Sequence, residues 1–174
     1  MKSSAAPTAS SAMRLIRFAL GVTLLLAAAP AAHAAVTVNC TVTAGGINFG
    51  VYNPLSAIGD ASTGSLLVTC TGSGSGTTTV TVNVSLSTGI SGTYSTRTMV
   101  SGANVLNYNI YWSAADAQIM GNGTGGSYSG QAGPIPISAG GSVQATGTMY
   151  GYVPPLQDVA PGGYSDVITV TVTY

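Results

Sequence analysis

The sequence predicts an all-β sandwich. Three observations carry that prediction. Apolar residues recur at every second position in six main stretches; clusters of Gly, Pro, Asn and Ser separate those stretches; and beyond the N-terminal region no apolar pattern has a 3.6-residue period.

The N-terminal region is read apart from the fold. Lys2, Arg14 and Arg17 form a basic leader, residues 18–29 (FALGVTLLLAAA) are an apolar run, and Ala32-His33-Ala34 places small residues around a cleavage point before Ala35. Residues 1–34 are therefore expected to be a secretory signal peptide, with Met13 an alternative start. An N-terminal membrane anchor is the competing reading, but a twelve-residue apolar run is short for a spanning helix. The expected domain is 35–174, exported to the cell surface or beyond, with no membrane span after cleavage.

Without the leader the charge inventory is sparse. Arg97 stands against Asp60, Asp116, Asp158 and Asp166, so one positive and four negative side chains give −3 before the termini. No Lys, Glu or His lies within 35–174. Nucleic acid has no basic footprint to bind. A Ser-His or Cys-His nucleophile pair and an imidazole metal ligand are equally excluded. The four aspartates fall at expected turns or strand ends. The sequence thus predicts no enzyme and no catalytic, cofactor-binding or metal site.

Cys40 and Cys70 are the only cysteines. In an exported chain they are expected to form one disulfide. For a loop of about 31 residues the chain-entropy estimate is about 3.5 to 4 kcal/mol, as an upper figure.

Along the chain, residues 35–43 (AVTVNCTVT) alternate and carry Cys40, giving a first strand. Residues 47–52 (INFGVY) read as a short second strand closed by Asn53-Pro54, with Phe49 a core anchor. Residues 60–64 read as a turn before the strand 65–71 (SLLVTCT), which puts Leu66, Val68 and Cys70 on one face. GSGSG at 72–76 reads as a hairpin loop. Residues 77–86 give the clearest mid-chain alternation, with Val80, Val82, Val84 and Leu86 opposed to Thr79, Thr81, Asn83 and Ser85.

Residues 89–95 are polar and turn-rich, and 97–100 suggest a short edge strand. Residues 104–113 (NVLNYNIYWS) place Leu106, Tyr108, Ile110 and Trp112 together, with Trp112 on the core side. Residues 121–133 read as a Gly-rich hairpin or loop, and Ile135-Pro136-Ile137 as an edge segment. Residues 142–153 form the penultimate strand, with Val143, Ala145, Met149 and Val153 on one face and Tyr150 and Tyr152 on the other.

The final stretch, 164–174 (YSDVITVTVTY), puts Ile168, Val170, Val172 and Tyr174 on one face and Val167, Thr169, Thr171 and Thr173 on the other. Its regularity suggests a central strand. The pattern fits an immunoglobulin-like Greek-key sandwich, which needs a seventh strand beside this one. The expectation is a sandwich lacking its final strand, whose open edge must be filled by another polypeptide.

Five segments together carry a family resemblance. They are Cys40 before INFGVY, LVTCT at 67–71, LNYNIY at 106–111, MYGYVP at 149–154, and the closing PGGYSDVITVTVTY. In this order they resemble the spore coat protein U domain family, which includes subunits of archaic, Csu-type chaperone-usher pili. The resemblance covers 40–174. It implies an immunoglobulin-like fold without its last strand, a periplasmic chaperone that lends one, and an outer-membrane usher where a neighbouring pilus subunit replaces it. Val167, Ile168, Val170, Val172 and Tyr174 are the residues placed at the acceptor groove.

Ala35 to Asn39 alone precede Cys40 in the expected mature chain, against roughly 10 residues for a donor strand. Acceptance of a strand is therefore expected more than donation, which suits a terminal or minor subunit. The alternative is a stand-alone secreted adhesin that uses Tyr111, Tyr128, Tyr150 and Tyr152 with the 121–133 loop to hold a surface or glycan.

Overall fold

Residues 35–115 and 118–174 are described by the computed structural model; the expected leader at 1–34, and Asp116, lie outside the described residues. The described chain is all-β, arranged as two facing sheets in an immunoglobulin-like sandwich. Its strands are β1 (Thr37–Gly45), β2 (Asp60–Ser73), β3 (Thr77–Leu86), β4 (Arg97–Ser101), β5 (Asn104–Tyr111), β6 (Ile119–Met120), β7 (Ser127–Tyr128), β8 (Gly130–Ser138), β9 (Ser142–Val153) and β10 (Val170–Thr173). The larger sheet runs β1-β2-β9-β5-β6-β7, with β4 also paired to β5, and the smaller runs β10-β3-β8.

Period-two alternation supplies the inner faces. From β2 come Leu66, Val68 and Cys70; from β3, Val80, Val82 and Leu86; and from β9, Met149 and Val153, all buried. Two clusters result. One joins Leu66, Leu86, Met99, Leu106, Tyr108, Ile110, Met120, Met149 and Val153, and the other joins Val68, Cys70, Val80, Val82 and Ile137. Each large aliphatic side chain so buried contributes about 1.5–3 kcal/mol relative to exposure. Cys40 and Cys70 are direct partners in the β1–β2 register and form the disulfide.

Several expectations need correction. Residues 47–50 alternate inward and outward, Val51 breaks the pattern by facing solvent, and none of 47–52 joins a ladder; Asn48 instead accepts from Gly50 N through its side chain and from Ser62 Oγ through its carbonyl. Residues 60–64 are not a turn. They extend β2 backwards, paired from Asp60↔Val153 to Gly64↔Met149, because the long β9 beside them overrides their turn-like composition. GSGSG is not a hairpin loop: β2 and β3 lie in different sheets, so the segment arches between them. Within 121–133, Ser127–Tyr128 and the start of β8 are strand, and Gly130–Ala132 pair with Val84–Val82.

The last correction concerns the end of the described chain. Only Val170–Thr173 is strand, and β10 pairs with β3 alone, from Val170↔Leu86 to Thr173↔Asn83. It is an edge strand of the smaller sheet, not a central one, because no second partner flanks it among the described residues.

Candidate functional site

The open side of the run 164–173 is where the fold leaves backbone and apolar surface together. Ser165 exchanges both backbone hydrogen bonds with Val100, at 2.9 and 3.1 Å, and the Thr169 carbonyl accepts from Ser87 N at 2.9 Å. The Thr169 amide donates to Ser87 Oγ at 2.9 Å. Odd-numbered residues therefore turn their amides and carbonyls toward β3 and β4. By two-residue alternation Ile168, Val170 and Val172 turn theirs the other way, where no strand stands among the described residues.

An apolar cleft lies along that edge. Residues 44–52 form one wall and 159–170 the other. Two hollows of about 500 and 350 Å³ share Ile47, Phe49, Met99 and Tyr164, so they run into one another. Leu106 and Val153 floor the larger hollow; Tyr108, Ile110 and Met149 floor the smaller. Ile47 and Phe49 are half-buried and pack on the main core cluster, with the Phe49 ring edge-on to Tyr108 at 6.0 Å and 69°. Gly151 on β9 permits this, since a Cβ there would stand 2.6 Å from Phe49 and 2.8 Å from Ile47.

One polar clamp holds the 164–170 wall. Asp166 Oδ2 accepts from the Tyr108 hydroxyl at 2.7 Å, and Oδ1 accepts from Ile90 N at 3.0 Å and Val167 N at 2.8 Å. The carboxylate fits tightly against Gly89, which has φ of +69° and no side chain to intrude. Burial raises the Tyr108 hydroxyl pKa well above its usual range, and the hydrogen bond to Asp166 raises it further.

Arg97, read from the sequence only as the start of a short strand, is completely buried beneath this region. Its guanidinium donates to Ser87 O at 3.2 and 2.8 Å, Met120 O at 2.7 Å and Asn109 Oδ1 at 2.7 Å. Asn109 in turn donates to Tyr94 O at 2.9 Å, and the Tyr94 ring lies 5.3 Å from the guanidinium. Burial lowers the pKa of Arg97, and nearby Tyr108 and Tyr94 partly offset this. The group ties Ser87, and through it the Thr169 segment, to the larger sheet. Its place on the Arg97–Met99 face was the available signal, but a lone arginine at a strand start reads as solvent-facing.

The structure distributes the sequence-predicted site residues unevenly. Ile168 and Val170 line the cleft, and Val172 packs beyond it on the second core cluster. Val167 is 83% exposed on the opposite face, and Tyr174 is 54% exposed after β10. Ile47, Phe49 and Tyr164, which sequence reasoning did not assign to the groove, form much of its walls. Among the described residues no cluster of His, Cys, Asp and Glu has a metal-holding arrangement.

The family model described as Spore Coat Protein U domain matches residues 26–171. Protein U of Myxococcus xanthus is 31% identical over 139 residues, which is 75% of this chain and 72% of that protein. Among solved structures, similarity is found to a chain of the CsuC-CsuE chaperone-tip adhesion subunit pre-assembly complex, from the archaic chaperone-usher Csu pili of Acinetobacter baumannii. The TM-score is 0.54 at 19% identity, over 79% of this chain but 40% of that chain, a likeness of fold alone. The match across most of the sequence and the identity to protein U agree: this chain belongs to the spore coat protein U domain family.

Proposed function

We propose that the chain is an exported structural subunit of a surface pilus or coat, whose open edge accepts a strand from another polypeptide. The observation that carries the reading is the unpaired backbone of Ile168 and Val170 beside an apolar cleft. A strand laid there would pair its amides and carbonyls with that edge and drop alternate apolar side chains into the two hollows. Filling the cleft also removes an aggregation-prone edge.

On this reading a periplasmic chaperone supplies the first strand, and a neighbouring subunit replaces it at an outer-membrane usher. The likeness of fold to a chain of a chaperone–subunit pre-assembly complex from chaperone-usher pili supports the chaperone as a partner. The role is acceptance more than donation: Thr37, Val38 and Asn39 are already laddered to Ser73, Gly72 and Thr71, so the residues just before Cys40 are engaged in the chain's own sheet. On this reading the chain takes a terminal or minor position in the fibre. No catalytic step is assigned.

The test is a photo-crosslinking amino acid at Ile168 in the exporting cell, with Val167 as its outward-facing neighbour. Crosslinks to a second polypeptide from position 168 and few from 167 are expected. Equal labelling from both positions, or none from 168, contradicts strand acceptance.

A further inference from the structure

On the outer face of the larger sheet lies a second depression, of about 750 Å³, on the side away from the cleft. Its shape follows from residue size. Tyr111 on β5 is paired directly with Tyr150 on β9, and Tyr152 lies two residues further along β9. Across β9 their β2 partners are small: Thr63 faces Tyr150, and Ala61 faces Tyr152. Bulky rings beside short side chains leave a hollow, which Ser113 and the alanines after it close at one end.

Of the hydroxyl groups in this hollow, Ser62 Oγ donates to Asn48 O at 2.6 Å and Ser113 Oγ accepts from Ala115 N at 3.2 Å, while four others are unengaged. Tyr52, Tyr94, Tyr108 and Tyr164 each donate to an acceptor within the fold, at 3.0, 2.9, 2.7 and 2.7 Å respectively. Among the described residues the hydroxyls of Tyr111, Tyr150, Tyr152 and Thr63 make no hydrogen bond. Tyr111 is half-buried, and burial first, then Tyr152, raises its pKa, so its hydroxyl stays neutral at ordinary pH. Among the described residues no Asp, Glu, Lys, Arg or His lines the hollow.

We infer that this depression binds a neutral carbohydrate, with pyranose rings lying against Tyr150 and Tyr152 and their hydroxyls meeting the four unengaged ones. Aromatic faces take the apolar C–H side of a sugar ring while tyrosyl hydroxyls reach its rim. The volume lies in the ~300–1,000 Å³ range of small-ligand sites. The described lining offers no cation to pair with a sialylated or sulfated glycan, so a neutral one is the better match. Tyr128 and the 121–133 segment take no part, which narrows the tyrosine set read from the sequence. Because the hollow and the cleft lie on opposite faces of the sheet, glycan binding and strand acceptance are independent.

The test applies the purified exported protein to a printed array of neutral, sialylated and sulfated glycans, then titrates the best neutral oligosaccharide by tyrosine and tryptophan fluorescence. Retention of neutral glycans is expected. Tyr150→Ser and Tyr152→Ser should each weaken binding about tenfold or more, Tyr111→Phe should weaken it less, and Tyr128→Ser and Ile168→Asp should leave it unchanged. Circular dichroism melting confirms that each variant is folded. An array with no neutral binder, selective retention of acidic glycans, or full binding by a folded Tyr150→Ser/Tyr152→Ser double variant each overturns the assignment.

Discussion

Replacing Ile168 by aspartate separates the cleft from the strand that borders it. Ile168 is half-buried and lines the smaller hollow, while its neighbour Val167 is 83% exposed on the other face. Fully burying an isoleucine is worth about 1.5–3 kcal/mol, so completing the burial of one already half covered contributes about 1 kcal/mol when a strand closes over it. Ile168→Ala should therefore weaken strand binding about fivefold. An aspartate is different, because the incoming strand would carry its carboxylate out of water with no partner, at a cost of several kcal/mol. Taking about 4 kcal/mol, the loss is about a thousandfold. Val167→Asp keeps its charge in solvent and should change affinity by less than about twofold. The assay is fluorescence anisotropy with a labelled peptide of about ten residues and alternating apolar side chains, after melting shows both variants folded. Equal affinity for the Ile168→Asp and Val167→Asp proteins would refute the reasoning.

Other consequences can be checked on the purified protein. Reducing Cys40–Cys70, or replacing both cysteines by serine, should lower stability by at most about 3.5–4 kcal/mol, read as a lower urea midpoint with a slope that rises as the unfolded chain expands. Arg97→Met removes the fully buried guanidinium and strands the carbonyls of Ser87 and Met120, so urea unfolding should show a loss of about 3 kcal/mol or more; Arg97→Lys, which keeps charge without the fork, should recover only part. Tyr108 and Tyr111 have folded-state pKa values raised above the unfolded value of about 10. Above that pH the unfolded chain gives up protons the folded chain keeps, so their contribution is complete below about pH 10 and declines as pH rises, by up to about 1.4 kcal/mol per pH unit per group. Tyr108→Phe should flatten that alkaline slope.

The sequence made the strongly alternating strands legible to the residue. Thr77–Leu86 and Ser142–Val153 are found with the bounds that their periodicity predicts, because each has one wet and one buried face along its length. Where alternation met a competing constraint, prediction failed in instructive ways. Residues 47–50 have a strand's in-and-out pattern, yet alternation records only which side faces the core and says nothing of a neighbour to pair with. Asp60 to Gly64 look like a turn by composition, but β9 is long enough to draw them into the sheet. The even-numbered face of the last stretch was readable, and Ile168 and Val170 do line the cleft; Val167 was grouped with them although its parity puts it outside. The opposing wall, Ile47 and Phe49, comes from more than a hundred residues earlier in the chain, and local pattern carries no information about such a pairing. The burial of Arg97 was equally illegible, since its carbonyl partners are set by tertiary structure.

Amide hydrogen exchange along 164–174 tests strand acceptance most directly. In the isolated chain the amides of Ile168, Val170 and Val172 should exchange quickly while those of Thr171 and Thr173, turned toward β3, are protected; adding the donor peptide or a chaperone should slow the first group selectively. Protection of Ile168 and Val170 in the isolated monomer, or no slowing on complex formation, would contradict the account.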